Sequence, residues 1–229
     1  MRMTHQGKAF RASLRILLIG AILAIVLGIG LGVVLPSRPI AAAVAAGLFA
    51  IFAAFTVYFF RDPTARVPST TGAIVAPAHG LVDVIEEFDE PKVLHGRCRR
   101  ISIFLSVFDV HVQQSPVTGR VCFLEHTPGK YLNAMKSDCA IHNENVLVGF
   151  ETKEPANLPG GRMAVRLIAG LIARRIIPWV TPGGEVSKGQ RIALIQFGSR
   201  ADIYLPLEVK VTIKTGDRVV GGETIIAQV

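Results

Sequence analysis

Two uncharged apolar runs near the N-terminus constrain this chain more than any other feature: Ile16 to Leu35 and Ile40 to Phe60, parted by Pro36-Ser-Arg-Pro39. Each reaches the roughly 20 residues that a helix needs to span the hydrocarbon core of a bilayer. Backbone N–H and C=O groups cannot stay unpaired in lipid, so such runs must be helical there. A secretory signal is the rival reading of the first run. It is disfavoured because the apolar stretch is too long and a second follows at once. The expectation is a transmembrane hairpin, with helices at about 16–35 and 40–60, inside a membrane anchor of residues 1–62. Arg2, Lys8, Arg11 and Arg15 precede it, Arg61 and Arg66 follow it, and only Arg38 lies in the turn. The positive-inside rule then puts both ends, and everything after Arg61, on the cytoplasmic side of the inner membrane. The turn is so short that a shallow re-entrant hairpin stays open.

After Pro63 the texture changes. Short β-rich runs such as Arg100-Ile-Ser-Ile-Phe-Leu105, Asn145 to Phe150, Met163 to Ile168, Arg191 to Phe197 and Asp202 to Leu205 alternate with glycine and proline. Residues 63–229 are therefore expected to form one mainly β domain of barrel-sandwich-like hairpins with few short helices. Leu167 to Ile177 reads equally as helix or strand. A weak internal repeat is visible. Pro77-Ala-His-Gly80 and Pro116-Val-Thr-Gly119 each lead into a β run, and Gly184-Glu-Val-Ser-Lys-Gly189 is echoed by Lys214 to Gly222. Biotinyl and lipoyl carriers share this punctuation, but no lysine-bearing hairpin tip of their kind is present.

Net charge is +8 and the isoelectric point is near 9.8, which suits an anionic partner. No basic cluster is interleaved with aromatics, so a lipid surface fits better than nucleic acid. Cys98, Cys122 and Cys139 form no CxxC pair and are odd in number, which speaks against a disulfide framework.

The sharpest local feature is Gln196-Phe-Gly-Ser-Arg200. Taken alone, a Gly-Ser bond between two strand-like runs is a hairpin turn. Its context adds more. Phe197-Gly-Ser-Arg-Ala-Asp-Ile-Tyr-Leu-Pro206 resembles the processing site of the short, bacterial and archaeal branch of phosphatidylserine decarboxylases. Tyr58 to Pro63, Phe108-Asp-Val-His-Val112 with Pro116 to Gly119, Pro128 to Asn133, Asn143-Glu-Asn145, Ile168 to Ile176 and Lys188 to Arg191 resemble further phrases of that family, in the same order. The resemblance covers residues 58 to 229.

That resemblance implies a pyruvoyl-dependent, self-processing enzyme that turns phosphatidylserine into phosphatidylethanolamine and carbon dioxide. Ser199 would attack the carbonyl of Gly198, splitting the chain into 1–198 and 199–229. Ser199 would become the pyruvoyl group, which takes the substrate amine as a Schiff base and acts as an electron sink. The two fragments would stay together as a heterodimer; further oligomerisation is left open. His111 matches the family's histidine phrase and is the acid/base candidate. Two departures stand out: Gln114 replaces a second histidine of the long branch, and His79 replaces the usual aspartate of Pro-Ala-Asp-Gly. His79 is thus a candidate processing partner, with Asp83 or Asp109 as substitute carboxylates. Arg174 and Arg175 are candidates for the substrate phosphate, although adjacent arginines are commonly a solvated pair. Phe108 is a candidate for an acyl entrance, against ordinary packing.

His79-x-x-x-Asp83 is a zinc-ligand phrase in some peptidoglycan endopeptidases, but the H-x-H that completes it is missing, so no metal is expected. Two alternatives remain at this point. One is an archaetidylserine or other serine-phospholipid decarboxylase with the same headgroup chemistry. The other is a membrane-anchored barrel-sandwich adaptor, which would remain one chain and would usually carry a long heptad hairpin that is not found.

Overall fold

The structure, a computed structural model, describes residues 5, 7–34, 38–132, 142–170, 175–196 and 199–229. They fall into two compact units, divided at Asp62 and Pro63.

The first unit is a pair of helices, α1 (Lys8–Val34) and α2 (Arg38–Phe59). Both are long and apolar enough to cross a membrane, over Lys8–Gly30 and Ala42–Phe59. Leu18, Ile22, Ile25, Ile29, Leu48 and Ile51 point outward and are exposed. A helix apolar all round suits lipid rather than water. Helix α1 starts earlier than the uncharged run, because hydrogen bonding continues through the basic turn at Lys8, Arg11 and Arg15.

The second unit is mainly β, as expected. Its strands are β1 (Ala73–Val75), β2 (Gly80–Glu90), β3 (Gly96–Leu105), β4 (Val112–Gln114), β5 (Thr118–Thr127), β6 (Asn145–Glu154) and β7 (Arg162–Ala169). There follow β8 (Arg175–Pro178), β9 (Glu185–Val186), β10 (Arg191–Gln196), β11 (Ser199–Leu205), β12 (Lys210–Val211), β13 (Arg218–Val219) and β14 (Ile225–Gln228). The ambiguous stretch 167–177 contains strand at both ends, the end of β7 and the start of β8; 171–174 lie outside the described residues. One sheet has eight strands in the order β13-β2-β3-β11-β7-β6-β5-β9, and two smaller sheets run β1-β14-β12 and β4-β10-β8.

These orders are palindromic. Strands β1 to β3 correspond to β4 to β6, and β11 to β14 correspond to β7 to β10, about a pseudo-twofold axis between β11 and β7. The registers agree residue by residue. Gly80 pairs with Val219 as Gly119 pairs with Val186. Phe104 pairs with Arg200 as Glu151 pairs with Arg162. Val229 N–H donates to Gly72 O at 3.1 Å, and Ile195 N–H donates to His111 O at 3.1 Å. The repeat visible in the sequence is therefore a structural one: each Pro-x-x-Gly phrase opens a long strand, and each echoed glycine segment supplies a two-residue edge strand.

The core is drawn from strands of all three sheets. On β11, Ala201, Ile203 and Leu205 face it; on β3, Ile101, Ile103 and Leu105; on β7, Met163, Val165 and Leu167. All are at most fractionally exposed, and each large aliphatic among them contributes about 1.5–3 kcal/mol by leaving water. The other face of β11 is buried too, and it is polar: Arg200, Asp202 and Tyr204 are each 0% exposed. A second cluster of Val93, Cys98, Leu147 and Ala164 covers Tyr204. Cys98 and Cys122 are free thiols; Cys139 lies outside the described residues.

Candidate active site

Strand β11 is central and paired on both sides over nearly its whole length. Ser199 opens it, opposite Leu105 of β3 and Ala169 of β7. Side chains alternate along a strand, so Ser199 shares the inward face with Ala201 while Arg200 goes outward. Ser199 is fully buried, and its Oγ has no hydrogen-bond partner among the described residues. A buried hydroxyl without a partner is costly and asks for a reason. Gly198 lies outside the described residues, as does Phe197.

His111 reaches the same region from another sheet. It immediately precedes β4, which pairs with β10. Its carbonyl accepts from Ile195 N–H at 3.1 Å and from Gln113 Nε2 at 2.7 Å. Only residues 197 and 198 separate the end of β10 from the start of β11, so the chain passes from the sheet beside His111 to the sheet holding Ser199 within that short link. His111 is 0% exposed, with Nδ1 2.9 Å from Asp109 O. A carbonyl can only accept, so Nδ1 carries the proton and Nε2 is the ring's acceptor in the neutral form.

The sequence reading offered two carboxylates for the part an aspartate usually plays. The structure gives each a definite partner. Asp109 accepts from Ser106 N–H and Oγ, both at 2.8 Å, and faces Arg218 at 3.2 Å, while its carbonyl serves His111. Asp83 is forked by Arg200, with Nη1 to Oδ1 at 2.7 Å and Nη2 to Oδ2 at 2.5 Å.

His79 is half-buried and precedes β2 at the same end of the large sheet. Leu81 pairs with Phe104, which pairs with Arg200. The His79-Gly80 turn therefore enters the sheet two strands from Ser199, roughly 10 Å on the usual strand spacing. Gly80 must be glycine: a Cβ there would sit 2.2 Å from Phe104 O. Gln114 and His79 both crowd Gly221, where a Cβ would lie 2.3 Å from Gln114 Oε1 and 3.1 Å from His79 Cδ2.

Arg175 pairs with Gln196, so it too stands at this end of β10, with an exposed side chain. Arg174 lies outside the described residues. Phe108 is 64% exposed on the turn between β3 and β4 and is not part of the core. Ser106 Oγ accepts the N–H of Phe108 at 3.3 Å, so the turn that Asp109 closes also holds this ring outward. Among the described residues no three His, Cys, Asp or Glu side chains gather as a metal site would.

Residues that carry less signal in the sequence also matter here. Asn143, 1% exposed, donates through Nδ2 to Ala169 O at 2.7 Å and to Leu132 O at 2.9 Å, and accepts from Leu132 N–H at 2.8 Å. It thereby fixes the register partner of Ser199. Behind β11, Asp202 accepts from Ser102 Oγ at 2.6 Å, with Arg100 3.6 Å away. Burial holds the Asp202 carboxyl above its ordinary range, opposed by the Ser102 hydrogen bond and by Arg100, Arg200 and Arg166. Burial likewise pushes the Tyr204 phenol up, with Asp202 adding to it.

A family model described as phosphatidylserine decarboxylase matches residues 52–227. A phosphatidylserine decarboxylase proenzyme of Desulfotalea psychrophila is 42% identical over 182 residues, covering 80% of this chain and 83% of the relative. One of Symbiobacterium thermophilum is 43% identical over 186 residues, covering 81% and 82%. One of Rickettsia akari is 40% identical over 180 residues, covering 77% and 76%.

Proposed function

The chain belongs to the phosphatidylserine decarboxylase family, and from that premise we propose that it decarboxylates phosphatidylserine to phosphatidylethanolamine after cutting itself between Gly198 and Ser199. Membership of a carboxy-lyase family sets the adaptor reading aside. The observation that carries the self-processing proposal is Ser199 itself: a buried hydroxyl with no partner among the described residues, on a backbone held from both sides. A hydroxyl shielded from bulk water and unpaired among the described residues suits a nucleophile awaiting the adjacent carbonyl.

His111 Nε2 takes the proton of Ser199 Oγ as it attacks Gly198 C=O. The peptide becomes an ester, with the acyl group moved from N to O. Loss of the Ser199 α-proton then expels the Gly198 carboxylate and leaves a dehydroalanine. One water hydrolyses this to a pyruvoyl group and ammonia. Asp109 O keeps the imidazole in the required tautomer throughout, but a carbonyl stabilises the imidazolium less than a carboxylate would. His79 takes the place of that carboxylate in the family phrase and acts as a processing partner.

The residues present suit a pyruvoyl group at position 199: the position is dry, rigid and preceded by a glycine. Such a group supplies an electron sink for the electrons left when carbon dioxide departs. His111 then returns a proton to the substrate carbon. Arg175, with Arg174, binds the phosphate, and Phe108 lies at the acyl entrance. The helical hairpin holds the enzyme at the membrane with the β unit in the cytoplasm.

The test is the mass of the purified protein. Two fragments are expected, 1–198 and 199–229, the smaller with a blocked N-terminus, and Ser199→Ala should stay whole. An active wild-type chain that stays whole would end the pyruvoyl proposal.

A further inference from the structure

The internal twofold supplies a comparison within one molecule. The equivalent of Ser199 is Gly161, and the equivalent of His111 is Gly72, so the proposed chemistry has residues in one half only. Two further positions differ in the same way. Strand β2 is bulged at Asp83, between Val82 and Val84, and β5 is bulged at its equivalent, Cys122, between Val121 and Phe123. Arg200 of β11 is equivalent to Arg162 of β7. In the half with Ser199, Arg200 is 0% exposed and forks Asp83 with two hydrogen bonds. In the other half, Arg162 is exposed, and the bulge residue is a cysteine that cannot form an ion pair with it as a carboxylate would. The same strands, bulges and registers therefore form without the pair.

From this contrast we infer that the Arg200–Asp83 pair is a positioning device for residue 199, on top of the self-processing reading proposed above. Arg200 is buried while Asp83 is partly exposed; an ion pair with a buried member contributes little net stability, and its best-attested use is to select one register. Here the selection matters. A slip of β11 by one residue would turn Arg200, Asp202 and Tyr204 into the apolar core and Ser199 out of it. Once the chain is cut, residue 199 loses its covalent tether to 198 and becomes the end of a strand, where fraying is easiest. Arg200 is the first side chain after that end, and Asp83 anchors it from a separate strand 117 residues away.

The experiment replaces the pair in the full-length protein and follows chain cleavage, carbonyl content by hydrazine titration, and turnover per carbonyl. Asp83→Cys with Arg200→Met copies the bulge residue of the other half and removes both charges. The melting temperature should hold or rise, cleavage should slow at least about tenfold, and kcat per carbonyl should fall with KM unchanged. Arg200→Lys keeps the charge but loses the fork, and decides the matter if the double variant does not fold: cleavage should slow at least about fivefold. A folded variant that cleaves and turns over within about twofold of wild type overturns the inference. Failure of the wild type to cleave would instead overturn the self-processing reading, so the two failures are separable.

Discussion

Replacing Asn143 by alanine tests how tightly the partner strand of Ser199 must be held. The amide makes three hydrogen bonds, two to Leu132 and one to Ala169 O. Leu132 is 41% exposed, so water can take over its two bonds at small cost. Ala169 is 0% exposed, and its carbonyl would lose the Asn143 amide with no water to replace it. An orphaned buried carbonyl costs about 1–3 kcal/mol, and the lost bonds with the small void bring the sum to about 2–4 kcal/mol. For a chain of this size that corresponds to a fall in Tm of about 5–15 °C. The assay is thermal unfolding of the detergent-solubilised full chain by circular dichroism, beside a time course of cleavage, which should also slow because Ala169 pairs with Ser199. Asn143→Asp sharpens the test. It keeps an acceptor for Leu132 N–H but points an oxygen at Ala169 O, so it should be no better than alanine near pH 8 and improve as the carboxyl protonates toward pH 4. A Tm for Asn143→Ala within about 2 °C of wild type would refute the reasoning.

His111→Ala should slow cleavage by about 100-fold or more, the usual contribution of a positioned general base; normal cleavage and turnover would remove His111 from the mechanism. His79→Asp should cleave as fast as wild type or faster, because a carboxylate stabilises an imidazolium better than a neutral ring does; loss of cleavage would show that His79 has a role of its own. Burial, with Glu90 and Asp89 nearby, pushes the Cys98 thiol up to about 11. At pH 8 its thiolate fraction is then about 100-fold below that of an ordinary thiol, so iodoacetamide should modify it at least that much more slowly in the folded protein than in denaturant. The folded state holds this proton more tightly, so the group's contribution to stability is present below pH 9 and lost as pH rises toward 11. Equal alkylation rates in the folded and denatured protein would contradict that burial.

Much of this protein is local, and what is local could be read from the sequence. An uncharged run long enough to span lipid is a helix by backbone chemistry alone, so Ile16 to Leu35 and Ile40 to Phe60 announce α1 and α2. Period-two alternation in Arg100 to Leu105 announces β3, because successive side chains leave a strand on opposite faces. The Pro-x-x-Gly phrases at Pro77 and Pro116 mark a repeat, and Gln196 to Arg200 marks Ser199. Short strands such as β4 and β13 stayed hidden, since two or three residues carry no period. What sequence patterns could not supply is pairing across distance. Nothing near Arg200 shows that its partner is Asp83, and nothing near His111 shows that its carbonyl takes the N–H of Ile195. Nothing in Ser199-Arg-Ala-Asp-Ile-Tyr-Leu205 shows that both faces are buried, because alternation reports polarity, and here the polar face is covered as well. Those facts depend on which strands lie side by side. Strand order across the sheets decides that, by bringing residues more than a hundred positions apart within a single hydrogen bond.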